Sequence, residues 1–283
     1  MAEPRTGSRY EMQMEEAAPG KSTPDYFAIH PGDIEEIKDD DSLIGYVHSY
    51  EVGATVDGPG LRFVIFVSGC LLRCQYCHNP DTWHKHNGHK VTVGRTMEEI
   101  SKYAQVLKTA RGGLTISGGE PMVQKEYVLS VFKHCKELGI HTCMDTSGRL
   151  GDRMTDEEMQ LIDLHLLDIK SGDPEIYQKI TNQPLQPTLD YARRLSDLGR
   201  PMWIRYVLVP GLSDGEDNVQ RVADFVATLK TVERVEILRF HQMGSSKWEK
   251  LGLDYKLTNT EPPSKELSER VREQFRRHGL TCY

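Results

Sequence analysis

Three cysteines, Cys70, Cys74 and Cys77, stand in a C-x3-C-x2-C pattern within residues 69–80. Thiolates this close together can hold three corners of an iron–sulfur cube. An iron left without a protein ligand can bind and reduce a small molecule. Two plainer readings stand beside that one. A structural zinc site wants four protein ligands, and no second C-x2-C pair follows. On a helix the three thiols would share one face and could simply be buried, but Gly69, Arg73, Asn79 and Pro80 argue for a loop. The other cysteines, Cys135, Cys143 and Cys282, are scattered. That is no disulfide framework, and a reducing cytoplasm fits best.

Such a loop needs a scaffold, and strand and helix signals alternate from Leu43 onward. Strands are predicted at 43–51, 62–67, 114–117, 141–144, 164–169, 202–209 and 235–240, with a last short one at 280–283. Helices are predicted at 96–109, opened by Thr96 with Glu99 as a capping box, and at 124–138, 188–198, 218–230 and 264–277. Short helices are expected after Thr155 and after Asp173-Pro174. Six strand-then-helix units in series imply an α/β fold with a parallel sheet curved into a partial (β/α)6 barrel. A flat doubly wound sheet is the alternative.

In a barrel the strand ends form the mouth. The cysteines follow one strand there. Gly118, Gly119 and Glu120 follow the next, then Asp145 and Thr146, then Asp168 to Lys170, Arg205, and His241. Each group also has an ordinary explanation. A glycine pair marks turns, Glu120 could be a solvated loop acid, and Asp145 and Asp168 could pair with Lys170 or Arg205 as a structural network. His241 alone is more often a satisfied polar residue. The run containing His84, His86 and His89 reads as a mobile surface loop, not a metal tract.

Charge divides the chain. Residues 1–41 hold 11 acidic and 4 basic side chains, a net of -7, and the remainder holds 31 of each. Residues 1–42 therefore read as an acidic, disordered extension and 43–283 as one catalytic domain. A neutral body does not seek nucleic acid. No apolar run is long enough for a membrane span, and the start lacks the h-region of a signal peptide.

The triplet with Tyr76 before its last cysteine, and Ser117-Gly-Gly-Glu-Pro121, resemble the radical S-adenosylmethionine (SAM) superfamily. Thr55-Val-Asp-Gly-Pro-Gly60, Tyr76-Cys-His-Asn79, Asp81-Thr-Trp83, Asp145-Thr146, Leu167-Asp-Ile-Lys170 and Trp203-Ile-Arg-Tyr206 resemble its glycyl radical enzyme activating family, over about residues 43–283. That resemblance implies a [4Fe-4S] cluster on Cys70, Cys74 and Cys77, with SAM chelating the open iron. Tyr76, Cys77 and His78 would line the adenine. Gly118, Gly119 and Glu120 would receive the methionine amine. Asp168, Ile169, Lys170, Arg205 and His241 would hold the carboxylate and ribose. Asp145, Thr146 and Asp168 would bind a monovalent cation, and Asp57 and His78 would meet a substrate peptide. It implies reductive cleavage of SAM to a 5′-deoxyadenosyl radical that takes a hydrogen atom from a glycine Cα. The implied protein substrate is the glycine loop of formate acetyltransferase (pyruvate formate-lyase). Flavodoxin or ferredoxin would be the electron donor, and the enzyme a monomer. Relatives with a ferredoxin-like insert carry extra cysteines between the triplet and the Gly-Gly-Glu motif; residues 78–118 here have none. Activation of another glycyl radical enzyme, or radical chemistry on a small molecule, are the alternatives.

Overall fold

The computed structural model describes residues 41–283, so the expected acidic extension lies almost wholly outside the described residues. Eight strands form one sheet: β1 Ile44–Ala54, β2 Arg62–Val67, β3 His89–Thr92, β4 Gly113–Gly118, β5 His141–Thr146, β6 Leu164–Asp168, β7 Met202–Leu208 and β8 Val232–Arg239. Their order is β3-β1-β2-β4-β5-β6-β7-β8. β1 runs antiparallel to both β2 and β3, and the six strands from β2 to β8 are parallel. The helices are α1 Val93–Ser101, α2 Ala104–Thr109, α3 Lys125–Glu137, α4 Pro174–Thr181, α5 Gln186–Asp197, α6 Glu216–Ala227, α7 Ser245–Lys250 and α8 Lys265–Arg276.

The parallel strands follow one another in space as in sequence. Right-handed crossovers then put the helices that link them on the same side, which excludes the doubly wound alternative. Side-chain alternation agrees. Phe63, Ile65, Leu114, Ile116, Met144, Leu167, Ile204, Tyr206, Val235 and Ile237 are buried in the main apolar core. The opposite faces carry Arg62, Thr115, Ser117, Cys143, Asp145, Asp168, Trp203, Arg205 and Glu236. Each buried Leu, Ile, Val or Phe contributes roughly 1.5–3 kcal/mol, so the outer layer holds the sheet and the inner face is left for polar groups.

Curvature follows from contacts no flat sheet allows. β2 and β8 are five steps apart, about 24 Å at ~4.8 Å per strand. Yet His78, beyond β2, stacks on His241, beyond β8, with ring centroids 4.2 Å apart. The sheet is a barrel segment whose outermost strands, β3 and β8, do not pair.

Several elements differ from expectation. The first helix begins at Val93, where the Thr92 side chain accepts from Arg95 N at 3.2 Å. Thr96 sits inside it, buried, with its hydroxyl 2.5 Å from that of Tyr127. Glu99 pairs with Lys102 instead of closing a capping box. The histidine run is not all loop: Lys85–Asn87 is a 3-10 turn, and His89 opens β3, because a strand edge on β1 was free to accept it. Helix α7 had no expected counterpart. The last segment forms a single parallel bridge, Val235 to Cys282. Among the described residues no helix is long and apolar enough to cross a membrane.

Candidate active site

The cysteine loop leaves β2 and is tied down on both flanks. Arg73 N and Gln75 N donate to Thr181 O and Ile180 O, at 2.8 and 3.0 Å, at the end of α4. Gly69 N and Cys70 N donate to Thr82 O and Trp83 O. The Arg73 guanidinium donates to Cys70 O and Leu72 O, both at 2.8 Å, and lies over the Trp83 ring. All three thiols are free. Cys74 is buried in a small apolar cluster with Leu72, Tyr76, Ile180, Val209, Leu212, Phe240 and Leu257. Burial pushes the Cys74 thiol up to about 12 against the pull of Lys170. Burial also raises Cys70, helped by the neighbouring Cys74 and Glu120, and raises Cys77 against nearby hydrogen-bond donors.

Gly118 and Gly119 are glycines for a packing reason. A Cβ on Gly118 would lie 2.4 Å from Val67 N and O, and one on Gly119 would lie 2.4 Å from Gly69 O. The turn after β4 thus presses its backbone onto the start of the cysteine loop, and Glu120 N donates to Gly69 O at 2.8 Å. Glu120 is buried, not a solvated loop acid. Its Oε1 accepts from Thr146 Oγ1 at 2.7 Å and Met122 N at 3.3 Å. Its Oε2 accepts from Ser147 N at 3.0 Å and Ser147 Oγ at 2.5 Å. Four donors fill its acceptor sites, so the carboxylate locks this turn to the end of β5.

The remaining strand ends carry charge pairs. Lys170 Nζ donates to Asp168 Oδ2 at 2.7 Å and lies 5.8 Å from the Tyr76 ring centroid. Burial alone would lower the Lys170 pKa, but Asp168 with Tyr76 and Cys74 hold it well above its usual value. Arg205 is buried and meets three acids: Glu236 at 3.1 Å, Asp145 at 3.4 Å and Asp57 at 3.5 Å. It also donates to Val56 O, which draws the 55–60 loop into the barrel. Ser117 Oγ donates to Asp145 Oδ2 at 2.6 Å. Burial, offset by Arg205 and reinforced by Asp168, pushes Asp145 up to about 6. Ile169 differs from its neighbours: its side chain lies in the main core, and its N–H donates to Arg205 O at 3.1 Å. Burial, then His241, lowers the His78 pKa. The paired-acid alternative is therefore what the structure shows for Asp145 and Asp168, and both pairs stand at the mouth.

Several polar atoms there remain unmatched. Tyr76 OH, Asp145 Oδ1 and His241 Nδ1 are buried without a hydrogen-bond partner. Buried polar atoms are normally paired, so three at one mouth mark a place shaped for a ligand. Three free thiols on one loop, with no second C-x2-C pair to complete a four-ligand zinc site, suit a polynuclear cluster better than zinc. The residues present fit a [4Fe-4S] cluster and an amino-acid sulfonium beside it.

Sequence reasoning overlooked Glu236, Ser117, Ser147 and the Lys247–Trp248 pair. Val235 and Ile237 face outward, so alternation in β8 already places Arg234 and Glu236 inside. Nothing comparable marks Trp248, whose indole N–H donates to Cys77 O at 2.8 Å.

The radical SAM superfamily pattern matches residues 64–226. The chain is 44% identical over 240 residues to pyruvate formate-lyase 1-activating enzyme of Escherichia coli K12, covering 84% of this chain and 98% of that protein. It is 46% identical over 241 residues to pyruvate formate-lyase-activating enzyme of Staphylococcus epidermidis, covering 83% and 95%. Among solved structures, a domain of pyruvate-formate lyase-activating enzyme from Bacteroides vulgatus is similar at 28% identity and TM-score 0.52, over 61% of this chain and 98% of that one. A radical SAM methyltransferase from Sphaerobacter thermophilus shares the fold at 18% identity and TM-score 0.58, over 83% and 72%. With its triplet, its Gly-Gly-Glu turn and its open parallel barrel, the chain belongs to the radical SAM superfamily and, within it, to the pyruvate formate-lyase-activating enzyme family.

Proposed function

We propose that this protein activates formate acetyltransferase (pyruvate formate-lyase) under anaerobic conditions, by creating a glycyl radical on it. The observation that carries this reading is the meeting of three free thiols, Cys74 buried and Cys70 and Cys77 half-buried, with the Gly118–Gly119 turn and the Lys170 and Arg205 charge pairs at one barrel mouth. The bound cofactors supply one-electron reductive cleavage of SAM, whose fragment takes a hydrogen atom from a glycine Cα. The protein's own residues bind, orient and keep water out.

Cys70, Cys74 and Cys77 hold the cluster. The apolar wall of Leu72, Tyr76, Val209, Leu212 and Phe240 keeps its surroundings dry. The Gly118–Glu120 backbone faces the methionine amine. Lys170 and Arg205 are cations able to receive its carboxylate, with Asp168 and His241 toward the ribose and the 76–78 backbone toward the adenine. Asp145, with its unmatched oxygen, joins Thr146 and Asp168 around a monovalent cation. Asp57 and His78 face the incoming peptide. A glycine is a suitable target because it has no Cβ to obstruct approach. A small one-electron carrier, flavodoxin or ferredoxin, would supply the electron. The enzyme works as a cytoplasmic monomer, with residues 43–283 as its catalytic domain.

The test is anaerobic. Reduced protein is mixed with SAM and, separately, with formate acetyltransferase and other glycyl radical enzymes. Electron paramagnetic resonance (EPR) then reads the glycyl doublet. A doublet on formate acetyltransferase is expected; one raised only on a different enzyme rejects the partner assignment. A colourless protein that takes up one zinc after anaerobic reconstitution rejects the chemistry.

A further inference from the structure

The segment after β8 returns across the mouth and grips the cysteine loop from its far side. His241 stacks on His78. Gly244 lies so close that a Cβ there would meet His78 Cα at 2.7 Å. In α7, Lys247 Nζ donates to Asn79 Oδ1 at 2.9 Å and pairs with Asp81 at 3.0 Å. Trp248, 6% exposed, donates its indole N–H to Cys77 O at 2.8 Å. Its ring meets Trp83 edge to face, with centroids 5.2 Å apart at 89°. Trp83 is tied to the same loop, since its carbonyl accepts from Cys70 N at 3.1 Å. Trp248 thus holds Cys77 by its carbonyl while its ring packs on the residue whose carbonyl holds Cys70.

We propose that Trp248 and Lys247 are positioning residues for the Cys77 corner of the cluster. The carbonyl bond from Trp248 does not touch sulfur. It restrains the loop and, with the Lys247 contacts, resists its peeling away from the barrel. The inference rests on the triplet being the cluster site.

The experiment uses full-length protein reconstituted anaerobically: wild type, Trp248→Phe and Lys247→Met. Phenylalanine keeps a ring and loses the N–H; methionine keeps most of the lysine stem and loses the charge. Iron content, reduction potential by EPR-monitored titration, and the rate of iron loss to a chelator are read. Trp248→Phe and Lys247→Met are expected to lose iron several-fold faster with the potential little changed. Lys247 is partly exposed, so its variant reports on the strap even if Trp248→Phe does not fold. Wild-type iron loss in Lys247→Met, and in Trp248→Phe where it folds, overturns the proposal. If wild type itself binds no cluster, the functional reading fails, and that result is distinct from the first.

Discussion

Cys74 is the most enclosed of the three thiols; burial opposes its thiolate, and the charge of Lys170 is the largest influence in its favour. Replacing it with alanine removes one corner of the cluster while taking little volume from the core. Cys74→Ala should lose SAM cleavage and most bound iron, with a far-UV spectrum like wild type and a stability loss of about 1 kcal/mol. Retained cleavage would contradict the assignment. A second residue-scale prediction concerns His165, fully buried on the outward face of β6 with its Nδ1 3.2 Å from Tyr191 OH. Burial, then the Arg200 charge, pulls its pKa down to about 3 from 6.5. Between those values the unfolded chain takes a proton that the folded one refuses. The contribution of neutral His165 is therefore complete above pH 6.5 and shrinks as pH falls toward 3. The slope is about 1.4 kcal/mol per pH unit. Urea midpoints of the apoprotein at pH 7 and 5 should fall less for His165→Gln than for wild type; equal slopes would exclude this residue as the cause.

At the scale of elements, two glycines separate crowding from backbone strain. Gly119→Ala would drive a Cβ to 2.4 Å from Gly69 O, so the turn after β4 and the cysteine loop must part. A loss of about 1–3 kcal/mol is expected, together with poor iron retention. Gly139 ends α3 at φ +66 with nothing within 4 Å of an added Cβ. Gly139→Ala should cost roughly 1–2 kcal/mol through left-handed strain alone and leave iron retention unchanged. Paired melting and iron assays check both. The elements were legible in sequence where local rules agree. β2 and β4 to β8 pair apolar outward positions with hard stops, and Asp173-Pro174 and Ser264 cap α4 and α8 as their residue types require. β3 was not legible, because His89-Lys90 pairs with β1 through its backbone and two of its four residues are exposed. α7 is six residues long and polar apart from Trp248, so its existence depends on a partner 171 positions earlier in the chain. The residues at the strand ends could be listed from sequence, and pairing of Asp145 and Asp168 with Lys170 or Arg205 stood as one reading of them. The full partner set could not be listed, since Arg205 finds Glu236 through the β7–β8 register and Asp57 through the fold of the 55–60 loop.

At the scale of the whole molecule, an open barrel must be closed by something other than strand pairing. The 55–60 loop does this within the barrel. Arg205 bonds Val56 O and Asp57, Thr115 Oγ1 donates to Asp57 O at 2.6 Å, and Arg62 reaches Pro59 O at 3.3 Å. Arg205→Met should free this loop without dissolving the sheet. Amide exchange at residues 55–60 should then rise by at least tenfold while β4 to β6 keep their protection; uniform loss of protection would mean that Arg205 supports the whole fold instead. The near-neutral charge of residues beyond 41 fits a molecule that recognises its partner by shape and local contacts more than by long-range attraction.

The strap from α7 to Cys77 also sets an order of events during biosynthesis. A ribosome makes the three cysteines long before it makes the tryptophan that secures them, and longer still before α8 completes the outer layer. A nascent chain therefore holds its thiols without their final enclosure for most of its synthesis. Any oxidant met before the strap is in place would find those sulfurs unguarded.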